Sequence, residues 1–152
     1  MTTRLNPFAH ADLVQPFVDY SHAAPDSGLE PAIKELVKIR ASQINGCAMC
    51  LMLHTGEARR QGESEMRIYL LDGWREAPHF NPRERAAIAW TEALTRLDRS
   101  GLDEAYAMIE AQFSEAERVA LTMLIGVINT WNRINVGFGV RPPHSAEIAA
   151  VA

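Results

Sequence analysis

Two short stretches constrain the fold of this chain more than any others: Asn81-Pro-Arg-Glu84 and Ser114-Glu-Ala-Glu117. Each sets a small polar residue three positions ahead of a glutamate. The first side chain can then cap the N–H of the fourth residue while the glutamate reaches back to the cap's own N–H. In the first stretch a proline stands at the opening helical position, where its missing N–H leaves nothing unsatisfied. Both stretches therefore open helices, one to about Leu97 and one leading into a long apolar helix through Thr122–Asn135.

The rest of the chain follows the same period. Ile33, Leu36, Val37 and Ile39 make an apolar stripe on a helix from Pro31 to about Ser42. Asn45-Gly46 breaks that helix, and another runs from about Cys47 to Gln61, with Gly62 just past its end. Further helices are expected within Pro7–Ser21, where Pro16 kinks or divides the segment, over Ser64–Leu71, and from Leu102 to about Gln112. Residues 23–28 and 73–80 read as loops, and Arg141-Pro-Pro143 stops regular structure. No alternation of apolar and polar residues is sustained, so no sheet is expected. The expected architecture is all-α: a compact bundle of roughly seven helices in a single domain, 1–152, without repeat or linker.

Composition narrows the function classes. A formal charge of −4 argues against a general nucleic-acid binder, which needs a basic face. No apolar run approaches the ~20 residues that cross a bilayer. The N-terminal MTTRLNPFAHADL has no apolar core of a secretory signal, so a reducing, cytoplasmic setting is expected.

Chemistry concentrates in Asn45-Gly-Cys-Ala-Met-Cys-Leu-Met-Leu-His54, which holds both cysteines of the chain. On a helix Cys47, Cys50 and His54 fall at i, i+3 and i+7, on one face. The first turn of a helix favours a thiolate, which singles out Cys47, while the imidazole one turn away singles out Cys50. Glu35, twelve residues before Cys47 among apolar neighbours, lies as far from the Ile44–Gly46 connection as His54 does. Two helices packed as a hairpin would bring the two together, letting a partly buried carboxylate orient the imidazole. Three readings of the cysteines stand at this point: a redox pair with its base, part of a metal site with His79 or His144 as a further ligand, or apolar core.

The spacing of Glu35, eleven residues, CxxC, three residues and His54 resembles the core of the AhpD-like alkylhydroperoxidases, within the carboxymuconolactone decarboxylase superfamily. The resemblance continues through Ala58, Gly62, Trp74, the Asn81–Leu97 helix and Asn129-Thr-Trp-Asn-Arg-Ile-Asn135, covering 29–135. It implies a peroxidase with no bound cofactor and no metal. Cys50 would attack the hydroperoxide, Cys47 would resolve the sulfenic acid as a disulfide, His54 would act as base, and Glu35 would hold it. The implied partners are a hydroperoxide, a dithiol reductant and further copies of the chain in a trimer or hexamer, with no nucleic acid or membrane. Some members carry a second histidine where this chain has Met49. Rival functions are a lactone-acid decarboxylase of the same superfamily, whose chemistry needs no dithiol, a redox sensor and a zinc-binding module.

Other residues carry simpler expectations. Trp90 and Trp131 fit apolar stripes as core residues, and Trp74, in a loop, is a candidate cover for the site or an interface. Asn129, Asn132, Arg133 and Asn135 crowd one end of an apolar helix, to bond helix ends and loops or to meet another subunit.

Overall fold

The computed structural model describes residues 3–23, 28–97 and 99–143. Among them the chain forms α1 (Ala11–Ala23), α2 (Pro31–Asn45), α3 (Ala48–Arg60), α4 (Glu65–Leu70), α5 (Pro82–Arg96), α6 (Leu102–Gln112) and α7 (Glu115–Phe138). Single 3-10 turns lie at Pro7–Ala9 and Arg99–Gly101, and the described residues contain no strand. The all-α bundle expected from the sequence is the one found.

Both capping boxes close. The Asn81 side chain accepts the Glu84 N–H at 2.9 Å, and the Glu84 carboxylate accepts the Asn81 N–H at 2.8 Å. Ser114 and Glu117 repeat the arrangement, and the helix they open runs unbroken for 24 residues. Several boundaries differ from expectation, and α7 runs to Phe138, three residues past Asn135. The helix α2 continues past Ser42 to Asn45, because the residue that ends it is Gly46 in the left-handed region (φ 65°, ψ 33°), whose N–H bonds the Ser42 and Gln43 carbonyls. The helix α1 starts after His10 and passes through Pro16 undivided, although an interior proline removes one intrahelical hydrogen bond and crowds the preceding turn.

The helix α2 is the spine of the bundle, packing against α3, α5 and α7. Its stripe of Ile33, Leu36, Val37 and Ile39 is buried as expected and belongs to one core with Ala86, Ala87 and Ile88 of α5 and Leu121 and Ile125 of α7. Burying one Leu or Ile side chain contributes about 1.5–3 kcal/mol, so this stripe alone binds α2 firmly. A smaller cluster of Ala41, Cys47, Cys50 and Ile128 sets the cysteines between the end of α2, the start of α3 and the middle of α7.

Further along the same face, α2 is also held by charge. Glu92 of α5, only 2 % exposed, accepts from Arg40 Nε at 2.7 Å, Trp74 Nε1 at 3.1 Å and Arg75 Nη1 at 2.6 Å. Arg96 approaches it at 3.2 Å, and Arg40 also pairs with Asp72. Trp74 is therefore not a cover for the cysteines. It is buried, spent on Glu92, and flanked by the guanidiniums of Arg75 and Arg85 at 4.3 and 5.1 Å from its ring centre. Burial works against ionisation of Glu92, but the bonds from Arg75, Trp74 and Arg40 outweigh it and lower its pKa to about 2.

Two outcomes follow from this packing. Glu92→Ala leaves Arg40 buried beside a missing partner and should destabilise the fold by about 3–5 kcal/mol, read from the midpoint of denaturant unfolding. Because the folded pKa of Glu92 is depressed, its stabilisation is complete above the unfolded value and is lost as pH falls towards about 2. The gap between wild type and variant should accordingly narrow on acidification. At the α2–α3 turn, Gly46→Ala meets no atom within 4 Å but retains a positive φ, and should cost about 1–2 kcal/mol in the same assay.

Candidate active site

The site is built outward from the Gly46 turn. Cys47 follows it in extended conformation (φ −87°, ψ 92°) and is the N-cap of α3, one residue earlier than the first-turn position expected from sequence. Its Sγ accepts the N–H of Cys50 at 3.3 Å, as a serine hydroxyl does in commoner caps. Cys50 is thus the third helical residue, and the positive end of the helix lies against both sulfurs. The two cysteines form a disulfide, with Cα atoms 5.4 Å apart, and both are buried.

One turn further along α3 stands His54. Its Nδ1 lies 3.0 Å from Oε2 of Glu35, so the two helices do bring together the carboxylate and imidazole that the sequence singles out. The other oxygen of Glu35 accepts from Lys38 Nζ, a partner that sequence reasoning missed. Glu35 is 4 % exposed. Burial pushes its pKa up, while the hydrogen bonds from His54 and Lys38 and the lysine charge pull it down and prevail. The result is a carboxylate that remains ionised against the ring nitrogen of His54.

Cys50, His54 and Lys38 line a cavity of about 390 Å³. Its remaining wall is chiefly apolar, with Met49 and Leu53 from α3, Ile128 and Trp131 from α7, and Phe8 from the N-terminal turn. Trp131 is half-buried here instead of sitting in the main core. Its Nε1 donates to Ser21 Oγ at 2.9 Å, and Phe8 and Phe17 pack on its ring at 6.2 and 5.0 Å between centroids. The first helix and the turn before it so close one side of the cavity.

The asparagines of α7 meet the α2–α3 turn from below. Asn45 Nδ2 donates to the side-chain oxygens of Asn129 and Asn132, both at 2.9 Å. Asn132 in turn donates to Ser42 Oγ at 3.0 Å, and Asn129 to Thr95 Oγ1 at 3.0 Å. Asn135 Nδ2 donates to the Sγ of Cys50 at 3.3 Å. Hydrogen bonding within the chain therefore accounts for these three side chains, all of them buried. Three asparagines spaced by three on an apolar helix need polar partners, and α2, α3 and α5 supply them, the first of the two roles expected for these residues.

Among the described residues no three His, Cys, Asp or Glu side chains converge as metal ligands, and none of the helices is long and apolar enough to cross a membrane. His79 lies exposed in the loop before α5, and His144 falls outside the described residues.

Comparison with known proteins places this geometry. The model of the carboxymuconolactone decarboxylase family matches residues 11–93, from α1 into α5, and so takes in Glu35, both cysteines and His54. The uncharacterized protein YdfG of Bacillus subtilis is 38% identical over 125 residues, 82% of this chain and 85% of its own. The uncharacterized protein YnjA of Escherichia coli is 31% identical over 110 residues, 72% of this chain and 60% of its own. A crystal structure of a protein of unknown function from Agrobacterium tumefaciens, described as a candidate antioxidant defence protein AhpD, superposes with a TM-score of 0.82 at 42% identity, over 93% of this chain and 99% of the other. A peroxidase-related protein from Silicibacter shares the fold, at a TM-score of 0.69 and 17% identity over 88% of this chain and 70% of its own.

The Glu35 arrangement makes a measurable claim. In a carboxyl-selective NMR titration Glu35 should ionise below the ordinary glutamate range, and Lys38→Met should move its midpoint upward by about one pH unit through loss of a charged hydrogen bond. An unchanged midpoint in that variant would remove Lys38 from the electrostatics of the site.

Proposed function

The chain belongs to the carboxymuconolactone decarboxylase family, and on that premise we propose that it is a CxxC-dependent alkyl hydroperoxide reductase of the AhpD type. The observation that carries the reading is a bonded Cys47–Cys50 pair opening on a cavity beside an imidazole that a buried carboxylate orients. The antioxidant description of the similar Agrobacterium protein agrees with it.

The chemistry starts from the reduced dithiol. His54 takes the proton of Cys50, and Glu35 stabilises the imidazolium so formed. The Cys50 thiolate attacks the outer oxygen of the hydroperoxide. An S–O bond forms, the O–O bond breaks, and the alkoxide leaves as alcohol after taking the proton from His54. Cys50 is then a sulfenic acid. Cys47 attacks its sulfur, forming the disulfide and releasing water. A dithiol reductant restores both thiols by exchange and becomes a disulfide itself. Peroxide oxygen is reduced by two electrons, drawn in the end from that dithiol, so no bound cofactor or metal is required.

Met49 stands where a second imidazole occurs in some members, so on α3 itself His54 is the imidazole that carries the proton. The mostly apolar cavity wall suits an organic hydroperoxide. Exposed Leu13 on α1 and Val119 and Met123 on α7 supply apolar surface for association into a trimer or hexamer of single-domain subunits, working in a reducing cytoplasm. The decarboxylase alternative gives the dithiol no task, and nothing in the cavity favours it.

The test is peroxide consumption by reduced protein under excess dithiol. Wild type should turn over an organic hydroperoxide. Cys50→Ser should abolish the reaction, Cys47→Ser should slow it because the external dithiol must then resolve the sulfenic acid, and His54→Ala should slow it by roughly 10²–10⁴-fold. Silence in the wild type, or full activity in Cys50→Ser, would refute the proposal.

A further inference from the structure

Among the described residues each sulfur of the pair has one hydrogen-bond donor, and the two donors differ in kind. Cys47 Sγ takes the backbone N–H of Cys50, a bond belonging to the helix cap. Cys50 Sγ takes a side-chain N–H of Asn135, 85 residues away on α7. A sulfur in a disulfide or a thiolate offers only lone pairs, so the amide must turn its NH₂ toward Cys50 and not its oxygen. Asn135 is 7 % exposed, and its backbone is pinned. Its carbonyl accepts from Val140 N at 2.8 Å and from the Gly139 N–H of the left-handed residue ending α7. The donor is therefore aimed before any charge forms on the sulfur, the arrangement that makes a hydrogen bond most effective toward a developing anion.

We propose that Asn135 is a further catalytic residue, donating a preorganised hydrogen bond that holds the Cys50 sulfur as a thiolate and so selects Cys50 over Cys47 as the attacking group. The inference rests on the reading of Cys50 as a reactive thiol. It also answers a question that the local sequence leaves open, because the helix terminus alone favours Cys47. A hydrogen bond to a charged acceptor is worth more than one to a neutral thiol, so it lowers the thiol pKa by the difference. The other ionisable groups around Cys50 are Cys47 and His54 on its own helix, Glu35 and Lys38 from α2, and His22 from α1. The part of α7 that lines the cavity brings no ionisable side chain, so replacing Asn135 alters no charge.

The experiment is an ultraviolet titration of the Cys50 thiolate in full-length Cys47→Ser protein, which leaves one thiol and retains an N-cap oxygen, with and without Asn135→Leu. Asn135→Ala is run beside it as a smaller replacement, and circular dichroism checks the fold of each. Both Asn135 variants should raise the Cys50 midpoint by about one pH unit, with roughly tenfold slower alkylation by iodoacetamide below that midpoint. In the two-cysteine protein, the rate lost in Asn135→Leu should return as pH rises past the new midpoint, a rescue that a merely structural role would not show. A midpoint unmoved or lowered in the folded variants would overturn the proposal. The titration contains no peroxide, so it decides on Asn135 even if the protein consumes none; that failure would fall on the peroxidase reading instead.

Discussion

Every part of the candidate site is measured from one left-handed residue. Gly46 ends α2 and reverses the chain within a single residue, which makes Cys47 the cap of α3 and puts Cys50 on its first turn. The same reversal lays α3 along α2, so that Glu35 and His54, each two to three turns from it, come within 3.0 Å. An L-residue at this position can keep the turn only with a strained φ. The turn is also where Asn45 reaches α7, so its geometry is fixed from a third direction.

That third direction decides how rigid the site is. An asparagine buried on an apolar helix costs stability unless its amide is bonded on both sides, and α7 carries three of them. Beyond α7 itself their partners are Asn45, Ser42, Thr95 and Cys50, on the three neighbouring helices and the turn between them. The polar ladder so converts a potential defect of the α7 interface into a register device, since sliding α7 would break the bonds these amides make to the neighbouring helices. Hydrophobic packing alone tolerates such slips far better than hydrogen bonds do.

The sequence made the helices legible because their ends carry local chemistry: the capping boxes at Asn81 and Ser114 bond within four residues, and both form as read. The Glu35–His54 contact was legible for a related reason. It spans one tight connection, so distance from the turn stands in for distance in space. What stayed hidden lies across long separations. Nothing local to Asn135 says that it faces a sulfur 85 positions earlier, and nothing around Trp74 says that its indole is spent on Glu92. Lys38 was overlooked for the opposite reason: a lysine one turn from a glutamate is ordinary on a helix surface. Only burial of Glu35, a tertiary fact, makes that pair consequential.

Helix α2 carries two charged anchors on opposite faces, and their separation matters to the site. Arg40 is committed to Glu92 and Asp72 on the α5 side. Glu35 and Lys38 turn the other way, toward His54 and the cavity. A buried ion pair that faced the site directly would resist change in the charge of its neighbours. Here the strong pairing sits behind the helix, and the carboxylate in front is shared between a lysine at the cavity wall and an imidazole. When His54 gains a proton, Glu35 gains a full ionic partner without leaving Lys38, because each cation has its own oxygen. The helix holding that carboxylate is pinned from its far side by Arg40, so the charge on the imidazole can change while the frame that orients it stays in place.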